Sequence, residues 1–109
     1  MAASKKVTVM ADFSIIPVGH GKTSVGKYVG EAVKAISKIK DIRYEITAMG
    51  TILEAERLDT ILEAVKQAHE AVLKIGVQRI ESTLRIYDRR DKPRTMEDKI
   101  QAVRSHMKS

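Results

Sequence analysis

The most restrictive feature of this chain is the way its apolar residues change period. In "KVTVMADFSII", Val7, Val9, Ala11, Phe13 and Ile15 alternate with Thr8, Met10, Asp12 and Ser14, the pattern of a strand with one buried face. Pro17 and Gly19 end that run. The repeat then lengthens: Val25, Tyr28, Val29, Ala32, Val33, Ile36 and Ile39 fall at helical spacing after Ser24, a plausible N-cap, and predict an amphipathic helix of about four turns. Alternation returns in "IRYEITAMG", where Ile42, Tyr44, Ile46 and Ala48 oppose Arg43, Glu45, Thr47 and Met49. Gly50 marks a reversal into a short strand, "TILEAE". A second helical stripe runs through Leu58, Ile61, Leu62, Val65, Ala68, Val72 and Leu73, with Gly76 as its C′ residue. "RIESTLRIYD" alternates once more, Ile80, Leu84 and Ile86 against Glu81, Thr83, Arg85 and Tyr87. Beyond the charged "DRRDKPR", Thr95 is placed to cap a last helix carrying Met96, Ile100, Val103 and Met107.

The order βαββαβ, with right-handed crossovers, specifies an α+β ferredoxin-like sandwich: a four-stranded antiparallel sheet, two helices on one face, plus a C-terminal helix. At 109 residues the expectation is one domain, 1–109. The uncovered sheet face mixes Met10, Met49, Ile52 and Tyr87 with Thr8, Asp12, Ser14, Arg43, Glu45, Thr47, Glu54, Glu81, Thr83 and Arg85. Such a face suits burial against another copy of the chain, with a plain wet sheet surface as the alternative. The last helix has no obvious seat on a two-layer domain, and is expected on a neighbouring subunit or across the sheet edge.

Composition narrows the function classes. A formal charge of +6 invites a nucleic-acid reading. The basic residues, however, are mostly interleaved with acids, and four aromatics offer few stacking platforms. No apolar run approaches the roughly 20 residues of a bilayer span, and "MAASKKVTVM" lacks the core of a signal peptide. The absence of cysteine excludes disulfides and thiolate chemistry and fits the cytoplasm.

Gly21-Lys22-Thr23 is the tail of a phosphate-binding loop, yet Ile16 occupies the position where that motif needs its first glycine. The nucleotide-hydrolase reading fails there. The same turn still offers Thr23 and Ser24 at a helix start, either as an anion seat or as an ordinary strand-to-helix turn. His20, His69 and His106 have no partners at metal-ligand spacing, so no metal or cofactor is expected. His69 reads as a hydrogen-bonded boundary residue. No catalytic triad or acid–base pair is evident. Arg89 and Arg90 could clamp an anion or pair with Asp88 and Asp91 to fix the turn; the structural role is favoured.

Three segments together, "IIPVGHGKTSVGKYVGEAV", "YEITAMGTILEAERLDTILEAVKQAHEAV" and "TLRIYDRRDKP", resemble the thiamine-binding-protein family, the YkoF-like small ferredoxin-like proteins. The resemblance extends from about residue 7 to residue 104. It implies sheets packed face to face in homodimers, usually assembled into homotetramers. It also implies that thiamine or its pyrimidine fragment is bound without being chemically changed. On that reading the ligand-binding candidates are Thr23, Ser24, Thr47, Met49, Thr51, Glu54 and Thr83, with Asp12 and Tyr87 beside them. A competing expectation is an oligomeric structural or regulatory module with no small-molecule ligand. A weaker third is an enzyme using Thr23-Ser24 and Arg89-Arg90 on a phosphorylated metabolite.

Overall fold

A computed structural model of the chain describes residues 9–19 and 25–108. Its elements follow the expected order: β1 (Val9–Pro17), α1 (Gly26–Ser37), β2 (Ile42–Ile46), β3 (Thr51–Ala55), α2 (Leu58–Lys74), β4 (Ile80–Asp88) and α3 (Met96–Met107). The four strands form one antiparallel sheet in the order β2-β3-β1-β4, consistent with a ferredoxin-like α+β fold.

β1 is central because its inward residues are the most apolar. Val9, Ala11, Phe13 and Ile15 are all buried, and meet Leu53 and Ala55 of β3 under the helices. From above come Ala32 and Ile36 of α1, and Ile61, Ala64, Ala68 and Val72 of α2. Alanine at positions 32, 64 and 68 lets the two helices approach each other and the sheet closely, so Phe13 fills the space between with its single large ring. Burial of a side chain of that size contributes about 1.5–3 kcal/mol.

Several local expectations hold for identifiable reasons. Gly76 takes a positive φ just past the end of α2, where an L residue would be strained. Thr95 caps α3 in a reciprocal box: its hydroxyl accepts from the Asp98 amide at 3.1 Å, and the Asp98 carboxylate accepts from the Thr95 amide at 2.9 Å. His69 Nε2 lies 2.8 Å from Ser82 Oγ, tying α2 to β4. Arg89 pairs with Asp91, and Arg90 with Asp88, so both arginines of the charged turn hold the turn itself.

Other expectations are corrected. α1 begins at Gly26 with Val25 at its N-cap and no side-chain cap; Ser24 lies outside the described residues. The helix ends at Ser37, short of Ile39. β2 stops at Ile46 rather than continuing to Met49. The reversal is centred on Ala48 and Met49, closed by a 2.8 Å bond from the Thr47 amide to the Gly50 carbonyl. As an edge strand β2 receives little helix cover, leaving Ile46 65% exposed. The α2 stripe is narrower than its spacing suggests, with Leu62 and Leu73 half in solvent.

The largest difference concerns α3. Its first turn reaches back onto the sheet face opposite α1 and α2, so that face is not wholly uncovered. Met96 is buried there, while Ile100, Val103 and Met107 further along α3 remain exposed.

Candidate functional site

The sheet register explains how the candidate site arises. β1 pairs with β4 along its whole length, from Val9↔Asp88 to Pro17↔Ile80. Its pairing with β3 ends early, at Phe13↔Thr51. Past that point the β2–β3 hairpin turns away and the last residues of β1 extend alone on that side. The first half of α1 lies over the resulting corner. Between them is a cleft of about 220 Å³.

The cleft is built from apolar walls. β1 supplies Phe13, Ile15 and Ile16, and α1 supplies Val25, Val29 and Val33, with Ala32 and Ile36 behind them. The hairpin supplies Ile46, Ala48, Met49 and Gly50. Three hydroxyl-bearing residues, Ser14, Thr47 and Thr51, complete the lining. No charged side chain is among the described residues that line it.

The three hydroxyls differ in what they are free to do. Thr47 is committed to the turn: its Oγ1 donates to the Gly50 carbonyl at 2.9 Å and accepts from the amides of Met49 and Gly50 at 3.2 and 3.1 Å. It shapes the hairpin and has no donor left for a ligand. Thr51 is 4% exposed, yet its hydroxyl forms no side-chain hydrogen bond among the described residues. A buried hydroxyl in that condition costs about 1–3 kcal/mol unless a group beyond the described residues satisfies it. Ser14 borders the cleft from β1, but its pairing with Thr83 turns its side chain to the other sheet face. Gly50 sets the floor: a Cβ there would stand 2.9 Å from the Phe13 carbonyl oxygen and 3.2 Å from Asp12 Oδ1. Only glycine allows that approach.

Of the residues nominated from sequence, Thr47, Met49 and Thr51 come together at this cleft. Thr51 does not lie on the open sheet face. It shares the helix-facing side of β3 with Leu53 and Ala55, as its pairing with Phe13 requires. Met49 sits on the hairpin tip rather than on the sheet, 88% exposed at the mouth of the cleft. Thr23 and Ser24 lie outside the described residues, immediately before Val25 of the cleft wall. Thr83 stands opposite Ser14 on β4, exposed on the other sheet face.

Glu54 belongs to a different place. It is 2% exposed, on the face that α3 reaches. One carboxylate oxygen accepts from the Met96 amide at 2.8 Å and the other from Arg43 Nη1 at 3.0 Å. Arg43 also pairs with Glu97 of α3, Nη1 to Oε1 at 2.7 Å. That hydrogen bond holds the Glu97 carboxyl down at about 2, well below its ordinary range. Beside this anchor Lys99 Nζ lies 3.7 Å over the Tyr87 ring, a cation–π contact that continues the attachment of α3. Sequence reasoning missed Ser14, Phe13 and the α1 valines as cleft residues. The early end of β3 relative to β1 is the signal that points to them.

Comparison with known proteins places these features in a family. Residues 11–104 match the family described as thiamine-binding protein. A UPF0045 protein of Methanothermobacter thermautotrophicus is 50% identical over 96 residues, covering 88% of this chain and 96% of its own length. The solved structure of a UPF0045 protein from Methanocaldococcus jannaschii is 47% identical, with a TM-score of 0.78, covering 87% of this chain and 94% of its own. A candidate thiamine biosynthesis/salvage protein from Thermotoga maritima shares the fold, with a TM-score of 0.70 and 21% identity, covering 87% of this chain and 97% of its own.

Proposed function

The chain belongs to the thiamine-binding protein family, and from that premise we propose that it is a non-catalytic cytoplasmic protein that binds thiamine or a related pyrimidine at the hairpin cleft. One observation carries the assignment: a buried Thr51 hydroxyl with no partner among the described residues, in a largely apolar recess. Small-molecule sites combine such apolar walls with a few directed polar groups. An aminopyrimidine offers donors and acceptors on its edge for Thr51, and a flat face for the valine and phenylalanine walls. Thr47 holds the hairpin, and Met49 closes over the mouth; Thr23 and Ser24, just before Val25 in sequence, remain candidates outside the described residues. Glu54 and Thr83 serve elsewhere, Glu54 as the anchor of α3. The description of the Thermotoga maritima protein as a candidate in thiamine biosynthesis or salvage supports the same ligand class.

Binding without chemistry is the simpler reading of the lining, because the described hydroxyls there have no imidazole or carboxylate hydrogen-bonded to them. General-base activation of a hydroxyl requires such a partner within reach. Isothermal titration with thiamine and with its hydroxymethylpyrimidine fragment tests the proposal. Heat of binding is the expected result; no heat and no thermal shift at millimolar ligand would sink it.

Self-association through the sheet face that α3 approaches is part of the proposal. Tyr87 and the floor residues Met10 and Ile52 lie next to a helix whose Ile100, Val103 and Met107 have no cover. A second copy of the chain supplies matching apolar surface. Sedimentation velocity of Val103→Asp, with the parent protein as reference, should show a shift towards monomer. If instead the protein self-associates and binds no pyrimidine, it is an oligomeric structural module.

A further inference from the structure

Resting on that reading, we infer that Met49 is a site of reversible oxidation, and that its sulfoxide weakens ligand binding at the hairpin cleft. The first observation is the sulfur inventory. The chain has five methionines and no cysteine, so thioethers are its only sulfur targets for a peroxide. Among the described residues Met96 is 5% exposed and Met10 is half-buried on the sheet, whereas Met49 is 88% exposed at the hairpin tip. Met107 is open too, at 73%, but it stands in the last turn of α3 and is not among the residues that line the cleft. Exposure and a place at the cleft coincide only in Met49 among the described methionines.

The second observation is how the turn is held. The amides of Met49 and Gly50 donate to Thr47 Oγ1 at 3.2 and 3.1 Å, and that hydroxyl donates to the Gly50 carbonyl at 2.9 Å. The backbone under Met49 is thus fixed, and its unbranched side chain is the adaptable part of the mouth. In the oxidation a sulfur lone pair attacks one oxygen of hydrogen peroxide; the S–O bond forms and the O–O bond breaks. Sulfur gives up two electrons, the proton of the transferred oxygen passes to the departing oxygen, and water leaves.

The product is a polar acceptor where an apolar thioether stood. The Thr47 hydroxyl proton is already engaged, and no described lining residue is charged. A sulfoxide that stays in water no longer covers the apolar mouth formed with Ile46 and Ala48. One that turns inward competes with the ligand for the Thr51 hydroxyl. Affinity falls on either course.

The full chain is treated with hydrogen peroxide, and sulfoxide at each methionine is followed by peptide mass spectrometry. Met49 should oxidise well ahead of Met10 and Met96, and saturating thiamine should slow it, since linkage between ligand and sulfoxide is reciprocal. Calorimetric titration with thiamine and with hydroxymethylpyrimidine should show a loss of about tenfold after peroxide, the size expected when one side chain withdraws its apolar contact. Methionine sulfoxide reductase should restore the affinity. Met107→Leu should weaken on oxidation as the parent does. Met49→Leu, whatever its starting affinity, should bind equally well before and after peroxide. Oxidation of Met96 as fast as Met49, an oxidised parent that binds undiminished, or a Met49→Leu chain that peroxide still weakens would each overturn the inference and leave the family reading standing. An untreated parent that binds neither probe removes both.

Discussion

Thr51 and Glu54 are polar residues of the same five-residue strand, both almost wholly buried, and their surroundings are opposites. Glu54 faces the side that α3 reaches, with both carboxylate oxygens occupied, one by a backbone amide and one by a guanidinium. Thr51 faces the helices and has no partner among the described residues. Burial by itself therefore does not distinguish a structural polar group from a binding one. What separates them is whether the chain supplies the complement. A satisfied network holds one arrangement in place, whereas an orphaned hydroxyl leaves binding capacity for something that comes from outside.

The contrast is exposed most strongly by Glu54→Ala. It strips the Met96 amide of its acceptor and leaves Arg43 with only an exposed partner, so the expected loss is about 3 kcal/mol in urea unfolding. Increased proteolysis of α3 should accompany it. If stability is unchanged, Glu54 is not the anchor. Next comes Gly50→Ala, whose added carbon must displace backbone at the Phe13 carbonyl. A loss of about 1–3 kcal/mol is expected, together with loss of ligand binding, because hairpin and cleft share that floor.

Acid provides a smaller and more local effect. The Glu97 carboxyl falls from 4.5 when free to about 2 when paired with Arg43, and the Asp98 carboxyl is lowered by its bond from the Thr95 amide. Because both are depressed on folding, their contribution is complete above pH 4.5 and disappears as the pH falls towards 2. Amide protection in the first turn of α3, measured against the intrinsic exchange rate at each pH, should fall over that window, while protection in β1 does not. The smallest stability effect belongs to Thr51→Val, within about 1 kcal/mol of the parent and on the favourable side. A clear destabilisation there would mean that Thr51, like Glu54, has an internal partner.

Much of this fold was legible because the relevant signals are local. The alternation of β1 and β4, the cap at Thr95, the glycine after α2 and the self-paired arginines before α3 all follow from residues a few positions apart. The site was less legible. Thr47, Met49 and Thr51 were nominated, but Thr47 and Met49 were assigned to the sheet face and lie on the hairpin turn, while the alternation of Thr51, Leu53 and Ala55 groups Thr51 with the core. The role of Glu54 depends on Arg43 and Met96, distant in sequence, and no periodicity reveals such a meeting. The exposure of Ile46 depends on how far α1 extends over an edge strand, which is decided by tertiary packing. Ser14 and the valines of α1 become cleft residues only because β3 ends before β1 does.

The pairing of β1 with β4 has a consequence for how the molecule is made. The first strand to be synthesised finds its longest partnership with the last, so the sheet cannot close until almost the whole chain is available. Contacts that span so much sequence slow folding, since loop-closure entropy precedes the gain. On the ribosome, the β4-facing edge of the central strand must wait unpaired, an invitation to pairing with a neighbouring chain. Moving the termini so that β4 directly precedes β1 would turn that long-range pairing into a local hairpin. Such a permuted chain should reach the same fold several times faster.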